Sequence, residues 1–152
     1  MKELSGDVFE LMETGEFDGF CVTTNGEVKK DGKAVMGAGI AKDCRDKFPG
    51  VDERLAFILN NYGVRVAHLG GYEFGKIIAF PTKYKWRDPS DIELIKMSCK
   101  QLMYVIEKYD YNKILLPKPG CSNGRLSWDY VKSVIEPLLD DRVYIVSKWF
   151  CI

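Results

Sequence analysis

What this sequence lacks narrows it before any motif is read. No apolar run approaches the ~20 residues of a membrane-spanning helix, and residues 1–7 lack the apolar core of a signal peptide. A soluble, cytoplasmic protein with no membrane partner is expected. Net charge is also missing, since 22 basic and 22 acidic residues cancel. No global field draws the chain to nucleic acid or anionic lipid, which leaves only a local basic patch for such contacts. The five cysteines, Cys21, Cys44, Cys99, Cys121 and Cys151, are odd in number and form no Cys-x-x-Cys pair. That speaks against a disulfide framework or a zinc site and fits a reducing compartment. With one histidine, His68, and no carboxylate pair or Ser-His-Asp order, neither a metal centre nor a triad is expected, and no cofactor. Repeats, low-complexity tracts and linkers are absent too. A chain of 152 residues, 46 % apolar and 29 % charged, reads as one domain, 1–152, and as a monomer.

What is present centres on Met36-Gly37-Ala38-Gly39-Ile40-Ala41, where small residues open a helix running to Phe48. Small side chains let backbone N–H groups approach a ligand, and a helix N-terminus carries unpaired N–H groups with partial positive charge. That is anion-binding chemistry. A second turn of the same kind, Gly120-Cys121-Ser122-Asn123-Gly124-Arg125, lies between a strand and a helix.

Around these turns the chain alternates. Asp7 caps a helix over 8–13, with Glu10 placed as in a capping box. A strand at 20–24 ends at Asn25-Gly26, and the lysine-rich stretch 27–34 reads as a mobile loop carrying Lys29, Lys30 and Lys33. Helices follow to Phe48 and from Val51 to the stop at Gly63. Strands are expected at 65–69 and 76–80. Ser90 with Glu93 forms a capping box before a long helix. A buried strand at 113–116, a helix capped by Ser127 and a strand at 142–147 complete the pattern. Strands alternating with helices predict an α/β fold, a three-layer α/β/α arrangement with a mixed central sheet. Ligands in such folds bind outside the carboxyl ends of the strands, where both turns, Asn25 and Lys83 fall.

Asn25 and the two small-residue turns together resemble the macro domain, a family that binds ADP-ribose, over nearly the whole chain. The resemblance implies contacts from Asp7 and Val8 to the adenine, with Asp7 accepting from its amino group. It implies that Asn25 reaches the distal ribose. Met36, Gly37, Ala38, Gly39 and Ile40 on one side, and Pro119, Gly120, Ser122, Asn123, Gly124 and Arg125 on the other, would grip the diphosphate. The segment Phe80-Pro81-Thr82-Lys83, with Trp86-Arg87 and Leu94-Ile95, is similar to the DarG-type DNA ADP-ribosyl glycohydrolase branch and, more distantly, to the terminal ADP-ribose protein glycohydrolase. In that branch the lysine at the position of Lys83 is catalytic. The terminal glycohydrolase also uses an aspartate where this chain has Gly124. The first loop, 26–35, is longer than in DarG.

The chemistry can be weighed separately. A lysine of ordinary pKa, ~10.4, is protonated near neutrality and is no nucleophile. Lys85 and Arg87, or burial under Trp86, would lower that pKa and free the amine to attack an opened ribose; a cationic Lys83 would instead stabilise negative charge. The expected function is removal of ADP-ribose from modified DNA or protein, with Lys83 and Asn25 as catalytic residues. The alternatives are an ADP-ribose 1''-phosphate phosphatase, a non-catalytic ADP-ribose reader, and a nucleotide-binding α/β domain outside the family. Asp7 serves a cap, the adenine, or both. Trp149 and Phe150 stack on the adenine or close the core. Lys29, Lys30 and Lys33 are a solvated loop or guide a phosphate-bearing substrate. Cys121 and His68 receive no role.

Overall fold

Along each central strand, neighbouring side chains point to opposite faces, and here both faces are apolar. Phe20 and Val22 pack on one side and Cys21 on the other; Ile77 and Ala79 oppose Ile78 and Phe80; Leu115 opposes Ile114 and Leu116. Strands apolar on both faces need a helical layer over each. In the computed structural model, which describes residues 1–72 and 75–147, that is the arrangement found.

The elements are β1 (Lys2–Ser5), α1 (Val8–Glu13), β2 (Gly19–Thr24), α2 (Gly39–Lys47), α3 (Val51–Tyr62), β3 (Ala67–Tyr72), β4 (Gly75–Pro81), α4 (Ile92–Tyr109), β5 (Ile114–Pro117), α5 (Trp128–Ile135), a 3-10 turn (Glu136–Leu138) and β6 (Val143–Ser147). They build a six-stranded sheet in the order β1-β6-β5-β2-β4-β3. All neighbours are parallel except the edge pair β3 and β4, so the sheet is mixed. Helices α1 to α3 close the face carrying Phe20, Val22 and Leu115. Helices α4 and α5 close the other, where Ile95, Cys99, Leu102, Ile106, Val131 and Ile135 are buried. The fold is three-layer α/β/α. No helix among the described residues is long and apolar enough to cross a membrane. Trp149, Phe150 and Cys151 lie outside the described residues.

Three local expectations need correction. The stretch 27–34 is a hydrogen-bonded turn, with Val28 bridged to Ala34, Lys29 N–H bonded to Lys33 O at 2.8 Å and Val35 N–H to Glu27 O at 3.0 Å. Burial of Ala34 and Met36 anchors its return arm. The cap of α4 is Asp91, whose Oδ1 accepts from Glu93 N–H (2.9 Å) and Leu94 N–H (3.2 Å). Ser90 stands one residue before the cap, and its Oγ accepts no helix N–H. Finally, Lys2–Ser5 forms an edge strand with no apolar alternation to announce it.

Candidate functional site

The carboxyl ends of β2, β4, β5 and β6 converge, and the loops leaving them enclose a cleft of about 780 Å³. Its first wall is the turn from Met36 to Ile40 at the head of α2. Gly39 sits at φ +58, a left-handed conformation that favours glycine. The cap position of α2, Ala38, makes no side-chain cap hydrogen bond, and the first turn holds no acid. Every other α-helix has an acid in its first turn. The positive end of α2 is therefore left uncompensated by its own residues and faces the cleft.

The second wall is the turn carrying Gly120, Ser122, Asn123 and Gly124. The two turns meet closely: Asn123 Nδ2 is 3.0 Å from where a Cβ on Gly39 would fall. At Gly124 a Cβ would collide with Ser90 Oγ and the Gly120 carbonyl. The segment bearing Ser90 thus excludes any side chain, and with it any aspartate, at 124.

Asn25 leaves the end of β2 with its amide fixed at both ends. Nδ2 donates to Val35 O at 3.1 Å and Oδ1 accepts from Glu27 N–H at 3.0 Å, so its orientation is set before any ligand arrives. Lys83 enters from the other side. Its Nζ donates to Trp86 O and Asp88 O at 3.2 Å each and to Asn123 O at 3.4 Å. Burial first, and then the Arg125 guanidinium, push its pKa below the ordinary value, while Asp88 opposes them. The expected influence of Lys85 and Arg87 is replaced by that of Arg125. Trp86 is 56 % exposed, so its ring gives little cover.

Not every expected residue lines this cleft. Asp7 Oδ1 accepts from Phe9 N–H at 2.9 Å and Glu10 N–H at 3.2 Å as the cap of α1, and Val8 is buried in the core. Asp7 follows Gly6, whose N–H donates to Ser147 O at 3.1 Å, and Ser147 is at the cleft. Pro119 contributes its carbonyl to Cys121 Sγ at 3.4 Å. Arg125 turns away to Arg87 O at 2.7 Å. Burial pushes the Cys121 thiol up to about 11, which keeps it neutral near pH 7. Among the described residues no group of three His, Cys, Asp or Glu side chains is placed to hold a metal ion.

Two residues of the cleft were not legible as such. Thr24 Oγ1 and Ser90 Oγ are the buried side-chain polar atoms without a hydrogen-bond partner among the described residues, and both residues line the cleft. Buried hydroxyls left unbonded are costly, and no spacing in the sequence marks them.

No family model matches the chain. Among curated proteins it is similar to a DNA ADP-ribosyl glycohydrolase of Thermus aquaticus, 31% identical over 112 residues, which are 70% of this chain and 31% of that protein. A protein of the same name from Mycobacterium tuberculosis is 29% identical over 104 residues, 64% of this chain and 30% of that protein. The chain thus spans under a third of these relatives' length. Among solved structures it is similar to the macrodomain of Mycobacterium tuberculosis DarG, with TM-score 0.77 and 26% identity over 95% of each chain. The macrodomain of Thermus aquaticus DarG gives TM-score 0.76 and 27% identity, again over 95% of each. A structure of Thermosipho africanus DarTG in complex with ADP-ribose shares the fold at TM-score 0.80 and 20% identity, over 95% of this chain and 40% of that one. Sheet order, paired loops and these likenesses agree: the chain belongs to the macro domain family, among relatives of the DarG macrodomain.

Proposed function

We propose that the cleft binds ADP-ribose and that the protein hydrolyses the bond between the distal ribose and a modified macromolecule, with DNA favoured as the acceptor over protein. The observation that carries the binding half is the pairing of the uncompensated α2 N-terminus with the 120–124 turn across the cleft. Backbone N–H groups at a helix start suit a diphosphate, whose charge replaces the missing acid. Asp7 and Val8, beside the β6 end of the cleft, are proposed for the adenine, and Asn25 for the distal ribose. Pro119 and Arg125 contribute by shaping the second turn. The names of the relatives support the reaction and the acceptor.

Lys83 is proposed as the catalytic residue. Its neutral amine attacks C1 of the distal ribose, the glycosidic bond breaks and the proton shed by Nζ goes to the departing base. The glycosylamine so formed opens to an imine as the C1–O4' bond breaks and the second Nζ proton passes to O4', and water hydrolyses that imine, releasing ADP-ribose and restoring the amine. The depressed pKa favours that chemistry. The three carbonyls around Nζ favour a second reading, in which a cationic Lys83 stabilises developing negative charge. Borohydride added during turnover separates the two: an ADP-ribose adduct on Lys83 supports attack, and its absence supports the cation. The binding half is tested by calorimetric titration with ADP-ribose, ADP and NAD. Preference for ADP-ribose is expected, and equal affinity for all three contradicts the reading. No metal or cofactor enters this account, and the protein is taken to act as a cytoplasmic monomer.

A further inference from the structure

A second concavity, of about 760 Å³, lies along the outer edge of β3 between α3 and α4. Among the described residues four cations line it, Arg54, Arg65, Lys100 and Lys108, and no aspartate or glutamate does. In a chain of zero net charge, that is a local separation of sign. None of the four makes an ion pair among the described residues. The nearby acid on α4, Glu107, is committed to Arg142 at 2.9 Å. Three tyrosines stand among the cations: Tyr62 is 64 % exposed and Tyr104 67 %, while Tyr109, 49 % exposed, stacks on Tyr111 and meets His68 edge-on.

Cations interleaved with exposed rings match a strand whose backbone is charged and whose bases are free to stack. An acidic peptide adding to the sheet edge fits less well. The edge N–H of Val66 is already bonded to Gln101 Oε1 at 2.9 Å, and the pairing of β3 slips between His68 and Gly70. Both features blunt an edge against strand addition. The groove is also linked to the cleft through one packing contact. Arg65 follows Val64, whose Cγ2 is 2.8 Å from where a Cβ on Gly26 would fall. Gly26 follows Asn25 and donates to Tyr84 O at 2.9 Å. Tyr84, 49 % exposed, meets Gly26 at that contact, and Trp86, 56 % exposed, lines the cleft.

We infer that the β3 edge groove holds the single-stranded nucleic acid flanking a modified nucleotide while that nucleotide occupies the cleft. The inference rests on the glycohydrolase reading for its purpose but not for its binding chemistry. The test is fluorescence anisotropy with an unmodified single-stranded DNA of about fifteen nucleotides. Four neutralised phosphates give a slope of log K against log salt of about −3. Tyr104→Ala weakens binding about tenfold, and Arg65→Glu/Lys108→Glu removes most of it and flattens the slope, while calorimetric ADP-ribose binding stays at the wild-type value. On ADP-ribosylated oligonucleotide the same variants raise KM and leave kcat; on an ADP-ribosylated mononucleotide neither changes. Failure of wild type to bind the DNA, wild-type affinity in both variants, or equal binding of poly-glutamate overturns the inference. If the variants lose DNA binding but wild type releases no ADP-ribose from any substrate, the groove stands and the glycohydrolase reading falls.

Discussion

Lys83 Nζ reaches the Asn123 carbonyl at 3.4 Å, so a side chain after β4 is tied to the tip of the turn after β5. The same ammonium holds Trp86 O and Asp88 O at 3.2 Å. One group therefore couples the proposed chemistry to the shape of the second loop.

Lys83→Ala is expected to slow release of ADP-ribose by ~10²-fold or more, the size of effect seen when one charged or donating group is removed from a reacting centre. ADP-ribose affinity should fall much less, because the α2 turn and Asn25 are untouched. Single-turnover rates beside calorimetry measure both. A full hydrolytic rate in a folded Lys83→Ala protein would remove Lys83 from the mechanism.

The pH dependence has a definite sign. Folding lowers the Lys83 pKa from its ordinary value of 10.5, so between the lowered value and 10.5 the unfolded chain binds more protons. Stability contributed by this group therefore rises with pH across that window, and below it the depression counts against the fold in full. For catalysis by the free amine, rate rises with pH toward the lowered pKa. Arg125→Met removes the second cause of the shift and should move that alkaline limb to higher pH. A limb that stays in place would show that the neutral amine is not what titrates.

At Gly124, substitution by alanine is expected to cost ~1–3 kcal/mol in stability, as overpacking does, because a Cβ there meets Ser90 Oγ and the Gly120 carbonyl. Ser90→Ala alone should change stability by less than ~1 kcal/mol, since its hydroxyl has no partner to lose. Adding Ser90→Ala to Gly124→Ala should restore only part of the loss, the Gly120 carbonyl remaining in the way. Urea unfolding of the three variants measures this, and full restoration would contradict the role given to Gly120.

Much of the fold was legible because its cause is local and periodic. Val8 to Glu13, Gly19 to Thr24 and Val51 to Tyr62 lie where their caps and apolar spacing put them. β1 was not legible, because Lys2, Glu3 and Ser5 offer no apolar face and the strand exists through pairing with β6. The choice of Asp91 over Ser90 as a cap was hidden as well, since both side chains fit a helix start and only the start at Ile92 puts Asp91 Oδ1 on the first free N–H groups. Within the cleft, glycines and Asn25 announce themselves by type. Arg125 acting on Lys83, and the unbonded hydroxyls of Thr24 and Ser90, arise from contacts between distant parts of the chain that no spacing encodes.

Activity is expected to survive thorough chelation, because the roles proposed here fall on a lysine, an asparagine and backbone N–H groups. Assay after prolonged EDTA treatment checks this, and strict dependence on added zinc or magnesium would refute it.

The most direct measurement is prolonged incubation of wild type and Lys83→Ala with ADP-ribosylated single-stranded DNA, ADP-ribosylated protein and ADP-ribose 1''-phosphate, quantifying free ADP-ribose and free phosphate. The account predicts ADP-ribose released from the DNA by wild type and not by the variant, with no phosphate from the third substrate. Tight ADP-ribose binding without any product would make the protein a reader, and phosphate release alone would make it a phosphatase; either contradicts the glycohydrolase.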